Sequence, residues 1–203
     1  VIPAVLLGYI LARYSFWGKS VVSAFIDLPL VLPPTAIGYI LLITFSNHHW
    51  FGSQLESWDI SVLFTWKAVV LATSVMSFPL VVRTARVAFQ NVSIRQEQIS
   101  RTLGLSPWKT FWKVSLPLSY KGLIAALVLG WTRCLGEFGA TVTLAGNIPG
   151  ETQTLASSIF EAQQTGDTKG MGILLLVALA CGFCSILLSE KLIQKTHSAF
   201  TEQ

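Results

Sequence analysis

The chain has 203 residues, of which 52% are hydrophobic and 12% charged, with a formal net charge of +4 and a mean hydropathy of +0.61. A soluble domain carries about 25% charged residues, and half that share cannot clothe a globule of this size in solvating groups. The composition excludes a soluble single-domain enzyme and a disordered chain, and points to an integral membrane protein.

In chain order, Val1–Ala12 is apolar but too short to cross a bilayer. It reads as the tail of a span that begins upstream rather than as a signal peptide. Gly18-Lys19-Ser20 imitates the end of a phosphate-binding loop, but the leading glycine position is Arg13 and no strand precedes it. Lys19 therefore reads as an interface anchor. Val21–Phe45 is long enough to span. Pro29, Pro33 and Pro34 interrupt it, and each removes an N–H and crowds the preceding turn, so this helix should kink or break. A break at depth is tolerated only where protein or a water-filled cavity receives the freed backbone groups. Pro33 and Pro34 are accordingly candidates for a translocation path, the other reading being a plain kink that sets bundle shape. His48-His49, in the next loop, has no second ligand pair at metal spacing, so no metal site is expected.

The third run is Val62–Val82. The segment that follows, about residues 87–117, does not read as a slack connector. Phe89, Val92, Ile99 and Leu103 recur at helical spacing and predict one apolar helix face. Gly104 suits a left-handed helix stop. Ser106 and Pro107 suit the N-cap and first position of a second short helix, with Trp108, Phe111 and Trp112 as its apolar stripe. Helix, glycine turn and helix also fit a DNA-reading unit, but flanking spans tie the pair to a membrane, so no nucleic acid is expected. Two readings stay open: amphipathic helices resting on lipid headgroups, or a rigid knob for a cytoplasmic partner.

The fourth run, Gly122–Ala145, carries Arg133 and Glu137 four residues apart on one helical face. Counted from Lys121 at the boundary, Arg133 is about 18 Å deep at roughly 1.5 Å per residue, where a charge costs about 2.5–3.5 kcal/mol even on a lenient scale. Arg133 is either a cationic way-station for an anion, with Glu137 holding its geometry, or half of an ion pair that only orients the helix. Gly130, Gly136 and Gly139 give either a close-packing surface or a gate, with Thr141 beside them. Beyond this run, Asn147, Pro149 and Gly150 form a turn ahead of a short amphipathic segment carrying Leu155 and Ile159, which Gly166 ends. The fifth run, Met171–Ser189, holds Cys181 and Cys184, which read as buried, inert thiols. No catalytic constellation is visible.

Of the 14 Lys and Arg, 11 fall on one side if the segments alternate: Arg13 and Lys19; Arg83, Arg86, Arg95, Arg101, Lys109, Lys113 and Lys121; Lys191 and Lys195. That side, with the C-terminus, is cytoplasmic by the positive-inside rule. Glu56, Asp59, Glu151, Glu161 and Asp167 face Lys169 on the other. The expectation is one all-α transmembrane domain over residues 1–203, a polytopic bundle of about five spans with the first truncated.

Gly104, nine residues, then Val114-Ser115-Leu116-Pro117 resembles the loop motif of ABC importer permeases. Gln98-Ile99-Ser100 replaces the usual Glu-Ala-Ala, and Val114 the usual Ile. Leu28-Pro29-Leu30-Val31-Leu32-Pro33-Pro34, Leu135-Gly136-Glu137-Phe138-Gly139-Ala140-Thr141 and Asn147-Ile148-Pro149-Gly150-Glu151-Thr152-Gln153-Thr154 are similar to the molybdate permease family, with sulfate permeases as near relatives. The resemblance implies the fold of a type I ABC importer permease in a bacterial inner membrane. It implies contact with a cytoplasmic ATPase through Arg101, Thr102, Leu103, Gly104, Leu105, Ser106, Pro107, Trp108, Leu116 and Pro117. It further implies a homodimer, ATP and Mg on the partner ATPase rather than on this chain, and an external solute-binding protein that meets the turn at Asn147. Molybdate is the expected cargo, with sulfate or tungstate as the alternative and a passive anion channel as a more remote one.

Overall fold

The computed structural model describes residues 1–201, and side chains up to Lys191. The side chain of Lys195, counted above among the cytoplasmic cations, lies outside the described residues. Among the described residues the chain is helical, with no strand. Helix α1 covers Ile2–Arg13, α2 Lys19–Val31, α3 Pro34–Phe45, α4 Trp50–Ser57 and α5 Trp66–Gln90. The loop helices are α6, Ile94–Thr102, and α7, Pro107–Thr110, which passes through a π-helical turn at Phe111–Ser115 into α8, Leu116–Leu135. Then come α9, Gly139–Ala145, α10, Leu155–Thr165, and α11, Thr168–Thr201.

Among the described residues, three helical stretches are long and apolar enough to cross a membrane: Trp66–Gln90, Pro107–Leu135 and Thr168–Lys191. The expected proline break is present. Helices α2 and α3 are bent by 111° at Leu32–Pro33, and together they have the length and apolarity of a fourth span. Pro29 is carried inside α2 without ending it, so the break belongs to the Pro33-Pro34 pair. With the short apolar α1, these make up the five segments expected.

Three expectations are corrected. The fourth run is not one helix but two, because the chain leaves helical geometry at Gly136–Phe138 between α8 and α9. Phe89, Val92, Ile99 and Leu103 do not share a helix face. Helix α5 ends at Gln90 and α6 begins at Ile94, leaving Phe89 and Val92 buried and Ile99 and Leu103 exposed. Cys181 and Cys184 are exposed on α11, whose most apolar 18-residue stretch has no residue buried within the chain.

The chain forms two compact units. The first comprises Val1–Ser23, Phe78–Gly130 and Ser185–Gln203. Its core is Tyr9, Ala85, Ala88, Phe89, Phe111 and Leu123. The Tyr9 ring meets Phe89 and Phe111 edge-on at 5.2 and 4.7 Å, joining α1, α5 and the π-helical turn after α7. The second comprises Ala24–Ser77 and Trp131–Cys184, with a core of Ile37, Ala68, Ala72, Met76, Ala140, Leu144 and Ala145.

Candidate functional site: paired helix breaks, a docking loop and an outer turn

In the second unit the two broken helices meet at their starting residues. Helix α3 begins at Pro34 and α9 at Gly139, and a Cβ on Gly139 would lie only 2.9 Å from Pro34 Cβ. One turn on, a Cβ on Gly38 would lie 2.8 Å from Thr143 Cβ and 2.9 Å from the Ala140 carbonyl oxygen. The missing side chains let the two backbones touch.

Each break has its backbone groups satisfied locally. Pro34 has no N–H to satisfy at the first helical position, and the Pro33 carbonyl accepts from Ala36 N and Ile37 N at 2.9 and 3.2 Å. At α9, Glu137 Oε1 accepts from Ala140 N at 3.0 Å, and Thr141 Oγ1 donates to the Phe138 carbonyl at 2.9 Å. Glu137 Oε2 lies 2.8 Å from Arg133 Nη1, an ionic contact in which no N–H points squarely at the oxygen. The glutamate side chain is 1% exposed and that of Arg133 29%. One carboxylate therefore braces the start of α9 and neutralises Arg133, while the guanidinium remains accessible on its other side. Pro33, Pro34, Arg133, Glu137, Gly139 and Thr141, chosen from separate stretches of sequence, gather at these two breaks.

The loop helices α6 and α7, the candidate docking element, belong to the first unit. Gly104 has φ +88°, and Gly104 N and Leu105 N bond back to the carbonyls of Arg101 and Ser100, the double bond of a left-handed helix stop. Ser106 Oγ accepts from Lys109 N at 3.3 Å, capping α7 ahead of Pro107. Of the expected apolar stripe, Phe111 is buried, whereas Trp108 and Trp112 are exposed, as is Leu103 on the other side of the turn. Arg101, Thr102, Gly104, Ser106, Pro107 and Pro117 are also exposed, and Leu116 packs on the core. An open apolar surface flanked by Arg101, Lys109 and Lys113 is what a protein-docking knob requires.

Asn147, Pro149 and Gly150 lie in a turn of the second unit where Gly150 has φ +80°. The Ile148 carbonyl accepts from Glu151, Thr152 and Gln153 N–H groups. Glu161 of α10 staples the turn: its Oε2 accepts from Asn147 Nδ2 at 2.8 Å and Gln153 Nε2 at 2.6 Å. Thr154 and Ser157 form a capping box at the start of α10, and Gly166 ends it at φ +72°. Pro149 and Gly150 are left exposed on a rigid base.

Sequence reasoning missed Glu97, Glu161 and Gly38. Glu97 had a signal, as the sole acid among seven cations between residues 83 and 121. Gly38 had none, because its role depends on which helix packs opposite.

A family model described as "Binding-protein-dependent transport system inner membrane component" matches residues 4–197. The molybdenum transport system permease proteins ModB of Haemophilus influenzae and Escherichia coli K12 are 45% and 42% identical to this chain, in each case over 92% of it and 82% of the relative. The E. coli sulfate transport system permease protein CysT is 37% identical over 86% of this chain and 63% of its own length. Among solved structures, a chain of the MetNI methionine ABC transporter in an inward-facing conformation matches with a TM-score of 0.70 at 16% identity, covering 96% of this chain and 84% of that one.

Proposed function

This chain belongs to the family of binding-protein-dependent transport system inner membrane components, and from that premise we propose that it is the permease subunit of an ATP-driven importer that carries molybdate into the cytoplasm. It is a transport subunit, not an enzyme in its own right. The observation that carries the choice of cargo is the 45% identity to a molybdenum permease over nearly the whole chain. A second reading, sulfate, is favoured by the weaker likeness to a sulfate permease; tungstate shares the tetrahedral dianion chemistry.

In this reading two copies form a homodimer, and the path runs where their broken helices face each other. Two cytoplasmic ATPase subunits, which hold ATP and Mg, grip the exposed apolar surface of Leu103 and Trp108, with the half-buried Leu105 between them. A solute-binding protein docks outside on the Asn147–Gly150 turn, and the C-terminus is cytoplasmic. Closure of the ATPases on ATP moves the docking loops and turns the path outward, and hydrolysis restores the inward state. Arg133 gives the passing dianion a weak, partly neutralised cationic contact, which suits a path that must release its ion. Pro33, Pro34, Gly139 and Thr141 shape the constriction. A passive channel has no use for the docking loop.

The test is ATP hydrolysis and anion uptake by proteoliposomes holding this chain, its ATPase and its binding protein. Stimulation at much lower molybdate than sulfate is expected. Preference for sulfate would move the substrate and keep the mechanism. An assembled complex that responds to no oxyanion would overturn the substrate class.

A further inference from the structure

Glu97 has an ordinary helical partner in Arg101, four residues on. It turns inward instead and is 4% exposed. Its Oε1 accepts from Arg13 Nε at 2.9 Å, faces Arg13 Nη2 at 2.8 Å, and accepts from Ser115 Oγ at 2.6 Å. Arg13 Nη2 also donates to the Val92 carbonyl at 2.9 Å. The carboxylate oxygen ties the last residue of α1 and the root of α8 to the loop helix α6, and Arg13 extends the tie to the turn after α5. All three side-chain partners are buried: the Arg13 and Glu97 side chains are 7% and 5% exposed, and Ser115 is 0%. A second buried link, Ser100 Oγ to Thr110 Oγ1 at 3.2 Å, joins α6 to α7.

A buried ion pair of this kind is poor value as plain stabiliser, because well-packed apolar side chains of similar volume serve as well or better. What charge-assisted hydrogen bonds add is direction and short, fixed geometry. The position fits that property. The loop presents Leu103 and Trp108 outward and Glu97 and Ser115 inward, so a push on the apolar face reaches α1 and α8 through the ionic root.

Building on the importer reading, we propose that Arg13, Glu97 and Ser115 are positioning residues that transmit the movement of the docking loop to α1 and α8 during the transport cycle. Without the clasp the ATPase still docks and hydrolyses ATP, but the stroke is absorbed in the loop.

The experiment reads ATP hydrolysed per molybdate imported in proteoliposomes of the full complex, at matched amounts of assembled protein. The variants are Arg13→Gln/Glu97→Gln, which removes both charges and strands neither, and Ser115→Ala, which removes one donor. The ratio should rise about tenfold in the first, inside the roughly 5–150-fold range of ordinary coupling free energies, and by a smaller factor in the second. The charge-exchanged pair Arg13→Glu/Glu97→Arg should return the ratio part of the way. A wild-type ratio in the double variant, or uptake and hydrolysis falling in parallel, would overturn the proposal. If the double variant does not assemble, an unchanged ratio in Ser115→Ala overturns it. A wild-type complex without oxyanion uptake fails the importer reading and takes the clasp with it, whereas a coupled wild type with equally coupled variants fails the clasp alone.

Discussion

The brace at the second helix break can be weighed by a double-mutant cycle on Arg133 and Glu137. Arg133→Gln strands a carboxylate that is 1% exposed and keeps only the Ala140 N–H. Breaking a buried pair from one side costs about 3–5 kcal/mol when both charges are fully desolvated. The Arg133 side chain is 29% exposed, so the pair is not fully dry and about 2–3 kcal/mol is expected. Glu137→Gln is milder, because the amide oxygen still accepts from Ala140 N–H and the stranded guanidinium reaches solvent; about 1–2 kcal/mol follows. The double variant strands no charge and should cost about 1–2 kcal/mol, leaving a coupling energy of about 2 kcal/mol between the sites. Equilibrium unfolding of the full chain in mixed micelles, followed by tryptophan fluorescence, measures all four corners of the cycle. Effects that add within about 0.5 kcal/mol would refute the contact. A neutral Arg133→Gln would refute the buried charge, since an uncharged or water-reached Glu137 has nothing to lose.

Other consequences follow from the same geometry. Gly38→Ala should lower stability by about 1 kcal/mol, because overpacking of about 2 kcal/mol against Thr143 and Ala140 outweighs a helix gain of about 1 kcal/mol. Gly182→Ala, with nothing within 4 Å of its new Cβ, should be neutral or stabilising in the same unfolding assay. Glu161→Gln should speed hydrogen exchange across residues 147–153 and leave ATPase assembly intact, as the outer turn loses a carboxylate that accepts from two side-chain amides. Trp108→Ala, at a residue 64% exposed, should leave stability within about 0.5 kcal/mol yet weaken ATPase association by about tenfold or more, read by titration of the solubilised complex.

The parts of the fold legible in the sequence were those with local chemistry. Gly104, Ser106-Pro107, Gly166 and the Pro33-Pro34 pair each act through their own backbone or their nearest neighbours, so position in sequence sufficed. The false helix face of Phe89, Val92, Ile99 and Leu103 shows the limit. Its spacing is helical throughout, but the chain turns between Gln90 and Ile94, and periodicity carries no record of a turn that happens to preserve it. Ile99 and Leu103 are exposed, and spacing alone does not tell an apolar face that is covered by the chain from one that is left open. Cys181 and Cys184 were misplaced for a further reason. Where an 18-residue stretch of mean hydropathy 2.6 has no residue buried in the chain, lipid or a partner replaces the core, and apolar character no longer signals an interior position.

The second break was the hardest to see, because Gly122–Ala145 contains no proline and reads as one helix. What ends α8 at Leu135 is a side chain that substitutes for the missing backbone acceptor. Glu137 takes the Ala140 N–H, Thr141 supplies the Phe138 carbonyl, and Gly139 lets Pro34 close against the exposed turn. Glu137 is the sole acid in that run, as Glu97 is in the basic loop. Both carboxylates are buried, both pair with an arginine, and both act where the backbone departs from α-helical geometry: Glu137 at the break before α9, Glu97 through Ser115 at the π turn before α8. The shared cause is the scarcity of acceptors in an apolar surrounding. An irregular backbone frees N–H and hydroxyl donors that water cannot reach, and an arginine drawn in to balance the acceptor completes the set. In these two segments an isolated acid accompanies an interruption of the helix, whereas Asp27, the sole acid of Val21–Phe45, lies inside α2 ahead of the break at Pro33-Pro34, where proline itself removes the donor and no carboxylate is needed.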